Sequence, residues 1–312
     1  MERVWSRLVQ PPEVLFHSRR WRFPARQAVC WREVLRLPDS GRICEVGCGP
    51  GGLLTRIAET TKPPARIIGV DRDPGHLEFA RRRARELGLP EAELRRGDAR
   101  ALPLPDGSVD ALTSYTLIEH LPDPQAFAEE CRRVLRPGGR LSVATTGRDL
   151  RIPSRMPEPP AGLQHQIEAL ENPVANWMQR LHSALGIGEG SGPLDVPGLV
   201  ESWELKEFRV DSWSRTICLS DHRLSNPERE AVVRDCCGAP PGFPPSEREL
   251  RRALTDAGAA PPEEPYLTEA QRERLHGLYT RREELALHEA RRAGTGPYFV
   301  TSVLLAASGI IP

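Results

Sequence analysis

A short apolar run that ends in a cluster of glycines constrains the fold of this chain more than any other feature. The run Ile43–Val46 is followed by Gly47-Cys48-Gly49-Pro50-Gly51-Gly52, and residues 53–59 then have a helical pattern. Glycines at such a turn let the backbone pass sharply from strand to helix, and they let a ligand approach without interference from a Cβ atom. The segment therefore predicts a strand–turn–helix unit that can hold a ligand at its turn.

Strands and helices alternate along the next hundred residues. Apolar runs predict strands at 67–70, 109–114 and 141–145, and helical periodicity predicts helices at 77–87 and 124–135. Gly88 follows the first of these helices, where a C-cap glycine is expected. Strands that alternate with helices through short connections predict a parallel sheet with helices packed against it.

The flanking segments are predicted to be largely helical. Residues 1–36 are amphipathic and are interrupted by prolines, which divide them into short helices. After residue 150 the pattern predicts helices at 164–186, 227–237, 247–258 and 268–293, strands at 203–219 and 297–306, and a glycine- and proline-rich loop at 187–198. Thr268 is the predicted N-cap of the longest helix.

The charge balance argues against a nucleic-acid partner. The chain has 43 basic and 43 acidic residues, whereas nucleic-acid-binding proteins usually have a basic excess or a basic stripe. A small, mostly uncharged substrate is therefore favoured.

The sequence also predicts a cytoplasmic protein without a membrane span or a metal site. No stretch approaches the roughly 18 consecutive apolar residues of a membrane-spanning helix, and the N-terminal residues lack the apolar centre of a signal peptide. The seven cysteines show no CxxC spacing, which argues against a disulfide framework or a zinc site.

A carboxylate follows the second predicted strand. Asp71 lies 24 residues after Gly47. In a doubly wound sheet it would lie beside the glycine turn, where it can accept hydrogen bonds from both hydroxyls of a ribose. Gly47, Gly49 and Gly52 also satisfy the spacing GxGxxG. Up to this point the pattern fits a nicotinamide-dinucleotide enzyme, and the glycines alone fit a purely structural turn.

Three further features separate these interpretations. Glu45 precedes the first glycine by two positions, Gly97-Asp98-Ala99 follows the second helix, and Leu135-Arg136-Pro137-Gly138-Gly139-Arg140-Leu141 precedes a strand. In this order and spacing, the set resembles the class I S-adenosylmethionine-dependent methyltransferases, and it is similar to the small-molecule enzymes of ubiquinone and menaquinone biosynthesis. The resemblance covers roughly residues 38–146. The segment Ser114–Asp123 also resembles the family's segment after the fourth strand.

The resemblance implies a Rossmann-like, doubly wound, seven-stranded sheet whose last strand is antiparallel, with helical additions at the N-terminus and after strands five and six. The expected organisation is an N-terminal helical cap (1–36), a cofactor-binding core (37–150), a helical lid insertion (151–199), a core strand (200–219), a second helical insertion (220–295) and a last core strand (296–312). The second insertion is expected to be either a lid or the interface of a homodimer.

The resemblance also implies roles in binding S-adenosyl-L-methionine. Glu45 would contact the cofactor. Gly47, Gly49 and Gly51 would lie along the methionine part and the ribose, and Asp71 would hold the ribose hydroxyls. Arg72 would cover one adenine face, while Asp98 and the Ala99 amide would bind the adenine edge. Tyr115 stands where the family often has a small polar residue beside the cofactor. The methionine carboxylate needs a donor from the N-terminal helices, for which Arg19, Arg20 and Trp21 are the candidates.

Methyl transfer is an in-line displacement, which requires alignment of the reacting atoms and exclusion of water. An oxygen or nitrogen acceptor often needs a general base. His120 and Glu119 after the fourth strand and His165 in the following helix are the candidates. The alternative for each histidine is an ordinary packing, capping or solvated role.

The predicted function is methylation of a small organic molecule in bacterial specialised metabolism, with S-adenosyl-L-homocysteine as the product. The alternatives are a methyltransferase that acts on a macromolecule, a non-methylating cyclase or scaffold that binds the same cofactor, and a nicotinamide-dependent dehydrogenase.

Overall fold

A computed structural model describes residues 5–63, 65–89, 92–146, 155–185, 195–221, 224–239, 243–292 and 298–312. Its strands are β1 (Gly41–Val46), β2 (Ala65–Asp71), β3 (Glu93–Arg96), β4 (Val109–Tyr115), β5 (Leu135–Thr146), β6 (Lys206–Cys218) and β7 (Phe299–Ile310). They form one sheet in the order β3-β2-β1-β4-β5-β7-β6. The first five strands are parallel, and β7 is antiparallel to both β5 and β6. The predicted seven-stranded, Rossmann-like sheet is thereby confirmed.

The helices are α1 (Pro12–Arg22), α2 (Ala28–Val34), α3 (Gly52–Thr60), α4 (Pro74–Glu86), α5 (Pro124–Val134), α6 (Ala161–Ala184), α7 (Val196–Glu201), α8 (Asn226–Cys237), α9 (Glu247–Asp256) and α10 (Glu269–Arg291). Single turns of 3-10 helix occur at Ala25–Gln27 and Ile118–His120. A single turn of π-helix, Trp5–Val9, precedes α1 and is called the N-terminal turn below. No helix in these described ranges is long and apolar enough to cross a membrane.

Hydrophobic cores on both faces of the sheet explain the apolar runs of its central strands. Ile43 in β1 packs in one core, while its neighbour Cys44 packs in the core on the opposite face. The strand order reverses between β1 and β4, which creates a crevice at the carboxyl ends of the strands. Ligands of open α/β sheets bind in such a crevice, so the fold places the glycine turn after β1 at the expected site.

Helices from the two insertions share a third core. Buried side chains of α6, α9 and α10, including Trp177, Leu250 and Leu275, pack together there. We call these three helices the helical unit. Leu8 of the N-terminal turn packs against the same core. A fourth core joins α8 and α10 to Trp21 of α1 and to β6.

Two elements fall outside the predictions. The edge strand β3 carries mainly charged residues and is only partly buried, so it has no apolar run to detect. Helix α7 lies in part within the predicted loop 187–198, because its Pro197 and Gly198 usually indicate loops. Pro197 is tolerated in the first turn, and Asp195 caps the helix by accepting a hydrogen bond from the Gly198 amide.

Local signals at helix ends are confirmed. Gly88 follows α4 with a φ of 70°, a left-handed conformation that favours glycine at this position. Thr268 caps α10 in a reciprocal arrangement with Gln271. Strand β5 begins at Leu135, earlier than predicted, because Leu135 pairs with Val109 before a register shift.

Candidate functional site

The glycine turn is fixed to the end of β2 by hydrogen bonds. The amides of Gly47 and Cys48 donate to the Val70 carbonyl at 2.8 and 3.1 Å, and the Gly49 amide donates to Asp71 Oδ2 at 2.8 Å. Gly47, Gly49 and Gly51 have φ values of 72°, 52° and 83°. Residues with a Cβ atom rarely adopt this left-handed conformation, so the backbone itself requires glycine here.

The glycines also allow neighbouring elements to pack closely on the turn. A Cβ at Gly47 would lie 2.9 Å from the side chain of Leu117, and one at Gly51 would lie 3.1 Å from the Cβ of Ala80. Close packing thus accounts for part of the glycine requirement. The predicted contact of these glycines with a cofactor stays a prediction.

Asp71 ends β2 beside this turn. Its Oδ2 accepts from Gly49, and its Oδ1 accepts from the Asp73 amide at 2.8 Å. Burial raises the pKa of Asp71, while the charge of His76 and the two backbone hydrogen bonds act in the opposite direction. Each carboxylate oxygen can accept a second hydrogen bond, so the two hydroxyls of a ribose can still be bound.

The residues predicted for the adenine end lie on the neighbouring loops. Asp98 accepts hydrogen bonds from the backbone amide and the guanidinium of Arg100 at 2.8–3.1 Å, and this pairing lowers the pKa of Asp98. Ala99 is buried. The guanidinium carbon of Arg72 lies 5.8 Å from the centre of the Trp5 ring.

A buried carboxyl group, Glu45, and a half-buried guanidinium, Arg19, lie next to the turn without forming an ion pair with each other. Glu45 Oε2 has no hydrogen-bond partner among the described residues. Burial raises the pKa of Glu45, and the nearby charge of Arg19 partly opposes this effect. The Arg19 guanidinium donates to Thr116 Oγ1 at 2.6 Å and lies 4.5 Å from the centre of the Tyr115 ring. Burial lowers the pKa of Arg19.

The structure distinguishes the three candidates for a carboxylate donor. Arg20 forms an ion pair with Glu59 at 2.8 Å, and the Trp21 indole donates to Asp235 at 3.1 Å. Arg19, in contrast, forms no ion pair with any acid in the described ranges. It is the candidate whose charge remains available to a ligand.

Thr116, which receives the hydrogen bond from Arg19, has an unusual backbone conformation. Its φ is 51°, in a region that β-branched residues rarely occupy. Such conformations occur preferentially at functional sites, where the surroundings enforce them. Thr116 follows β4 directly, at the crevice where the strand order reverses.

The segment after β4 brings two of the predicted catalytic residues to the same edge. Glu119 is buried, and its Oε1 accepts a hydrogen bond from the Thr145 hydroxyl at 2.7 Å. Its Oε2 is buried without a hydrogen-bond partner among the described residues. The His120 ring packs edge-on against Trp5, with 4.8 Å between the ring centres.

The remaining predicted site residues are His165 and Tyr115. His165 is exposed on α6, away from the buried positions Leu163 and Ile167 of that helix, and its catalytic role stays a prediction. Tyr115 is buried between Arg19 and Phe23, and its hydroxyl has no hydrogen-bond partner in the described ranges.

At the ends of β1 and β4, three buried polar atoms have no partner within the described ranges and lie near the Arg19 charge: Glu45 Oε2, Tyr115 Oη and Glu119 Oε2. Each such atom costs about 1–3 kcal/mol unless a ligand or water satisfies it. S-adenosylmethionine carries an ammonium group, a carboxylate and ribose hydroxyls. In chemical type, Glu45 matches the ammonium group, Arg19 matches the carboxylate and Asp71 matches the ribose hydroxyls. The residues present therefore fit this cofactor.

Sequence reasoning missed two supporting residues. Asp73 caps α4 and is followed by Pro74, a combination that signals a helix start. Thr145 lies near the end of β5, and no local pattern indicates its contact with Glu119. That contact depends on the pairing of β4 with β5.

Comparison with known proteins agrees with this geometry. Residues 44–143 match the family described as a methyltransferase domain. These residues are therefore similar to a methyltransferase domain. The match includes the glycine turn, Asp71, Asp98 and the segment after β4.

Curated relatives resemble the methyltransferase domain rather than the whole chain. A probable S-adenosylmethionine-dependent methyltransferase of Mycolicibacterium smegmatis is 40% identical over 113 residues, which are 36% of this chain and 41% of that protein. A demethylmenaquinone methyltransferase of Listeria welshimeri is 31% identical over 122 residues, 38% of this chain and 52% of that protein. An uncharacterized 37.1 kDa protein from a transposon of Streptomyces fradiae is 45% identical over 97 residues, 31% of this chain and 28% of that protein. The chain thus spans between about a quarter and about half of the length of these relatives.

Proposed function

We propose that this protein transfers the methyl group of S-adenosyl-L-methionine to a small organic acceptor and releases S-adenosyl-L-homocysteine. The observation that carries the proposal is the pair of buried Glu45 and half-buried Arg19 beside the glycine turn, between which no hydrogen bond or ion pair forms. The methyltransferase domain and its named relatives support the same activity.

In this proposal the cofactor lies along the crevice at the carboxyl ends of β1, β2 and β4. Arg19 binds its carboxylate, Glu45 faces its ammonium group, and Asp71 accepts from the ribose hydroxyls. The adenine end is bound by Arg72, Asp98 and the Ala99 amide. Gly47, Gly49 and Gly51 form the floor of this crevice, and the Tyr115 hydroxyl hydrogen-bonds to the cofactor.

The bound cofactor supplies an electrophilic methyl group on a sulfonium, so the protein must orient the acceptor and exclude water. We infer that Glu119 is the general base. The Thr145 hydroxyl holds its Oε1, which leaves Oε2 to take a proton from an O–H or N–H of the acceptor. His120 lies next to Glu119 in sequence and is the second candidate.

Two observations favour a small acceptor. The formal net charge of zero offers no electrostatic attraction to nucleic acid. The helical unit contacts the N-terminal turn, which reaches the carboxyl edge through Trp5. We propose that these helices form a lid over a mid-sized organic molecule.

Incubation with S-adenosylmethionine carrying a radiolabelled methyl group, together with a panel of small hydroxylated and amine acceptors, tests the proposal. We expect label in an organic product, and we expect Glu119→Gln to lower kcat about 100-fold or more while the KM for the cofactor is retained. Glu129→Gln, an exposed acid on α5, is the matched control. Cofactor binding without transfer to any acceptor would instead favour the scaffold or cyclase alternative.

A further inference from the structure

A tryptophan of the N-terminal turn lies across the proposed cofactor crevice. The centre of the Trp5 ring is 4.8 Å from that of the His120 ring and 5.8 Å from the guanidinium carbon of Arg72. Arg72 follows β2, and His120 lies in the turn after β4. Because β1 lies between these two strands, Trp5 spans the edge at which the glycine turn after β1 is located.

The position of Trp5 is fixed by its neighbours in the chain. The amide and the hydroxyl of Ser6 donate to Oδ2 and Oδ1 of buried Asp73, each at 2.8 Å. On the other side, the Arg7 guanidinium contacts Glu249 of α9 at 2.8 Å. The N-terminal turn therefore joins the cofactor edge to the helical unit.

The N–H of the Trp5 indole is a donor without an acceptor in the part of the chain that the structure describes. Its Nε1 is buried and has no hydrogen-bond partner among the described residues. An indole N–H can only donate, so burial without an acceptor is unfavourable. Four other indoles donate to protein oxygens: Trp21 to Asp235, Trp31 to Pro24, Trp177 to Glu264 and Trp213 to Arg22. Trp203 also lacks an acceptor, but it packs in a core with Phe127.

We propose that Trp5 forms the roof of the cofactor site. Its ring covers the cofactor between Arg72 and His120, and its N–H donates to an oxygen of the bound molecule. This role rests on the proposed function, because it presumes that the crevice binds S-adenosylmethionine. The roof excludes water from the reacting methyl group and connects cofactor binding to the helical unit through Arg7.

Calorimetric titration with S-adenosylhomocysteine tests this role without any acceptor. Trp5→Phe keeps an aromatic ring but removes the donor, and we expect a dissociation constant about 2- to 12-fold higher. Trp5→Ala removes both, and we expect an increase of about 30-fold or more. Trp213→Phe, whose indole already donates to the Arg22 carbonyl, should bind like the wild type. Tryptophan emission should change on binding in the wild type and in Trp213→Phe, and less in Trp5→Phe.

Three other outcomes would contradict the proposed role of Trp5. Unchanged affinity and an unchanged emission response in both Trp5 variants would overturn the proposal. Tighter binding by Trp5→Ala would overturn it as well, because it would mean that the ring obstructs the site. If the wild type itself does not bind S-adenosylhomocysteine, the cofactor assignment fails, and the proposed role of Trp5 fails with it.

Discussion

Glu45 is buried and Arg19 is half-buried close to it, but no hydrogen bond joins the two side chains. The desolvation of two charges is expensive unless additional hydrogen bonds compensate for it. A zwitterionic ligand resolves this problem, because its carboxylate and ammonium groups can pair with the two side chains separately. The sequence identified Glu45 through its position before the glycines. It could not choose Arg19 over Arg20 and Trp21, because the choice depends on which side chains find partners on distant elements.

The role of Arg19 gives a quantitative prediction. Arg19→Gln should raise the dissociation constant of S-adenosylhomocysteine about 10- to 100-fold, the loss expected for hydrogen bonds to a charged group. Arg20→Gln, which removes the ion pair with Glu59 and a hydrogen bond to Thr55, should stay close to the wild type. Calorimetry on both variants, with thermal unfolding as a check on folding, makes the comparison. Equal affinities for the two variants would argue against the assignment of Arg19.

At the scale of elements, the N-terminal turn is the least expected contributor to the site. Its residues appeared in the sequence only as part of an amphipathic segment. Its contacts with Asp73, Arg72 and Glu249 join residues that are 67 to 242 positions apart in the chain. The central strands, in contrast, were predictable, because burial on both faces demands an unbroken apolar run. The edge strand β3 is only partly buried, so its sequence needs no apolar run and the strand could not be predicted from one.

Loosening the N-terminal turn should weaken cofactor binding without unfolding the protein. Ser6→Ala removes the hydroxyl donor to Asp73 and should cost about 1 kcal/mol of local stability. We expect faster hydrogen exchange at residues 5–10 and several-fold weaker binding of S-adenosylhomocysteine. The control is Ser202→Ala, which removes an exposed hydroxyl bond to the Leu199 carbonyl at the end of α7. Exchange at residues 5–10 that matches the wild type would show that Ser6 does not hold the turn.

At the scale of the whole molecule, the helices inserted after β5 and after β6 pack into one unit. The ring of Trp177 in α6 packs at a tilt against the Tyr266 ring, and its indole donates to the carbonyl of Glu264; both partners belong to the second insertion. The sequence predicted the individual helices, but their association depends on contacts such as that of Trp177 with Glu264, which lie 87 positions apart. We propose that the two insertions act as one lid, with the N-terminal turn as their connection to the cofactor edge.

The central claim is that the crevice recognises a nucleoside joined to an amino acid rather than a dinucleotide. Isothermal titration of the intact chain with S-adenosylhomocysteine and, separately, with NAD tests it most directly. We predict saturable binding of one S-adenosylhomocysteine per chain and no measurable heat of binding with NAD. Saturable binding of NAD together with no binding of S-adenosylhomocysteine would contradict the account.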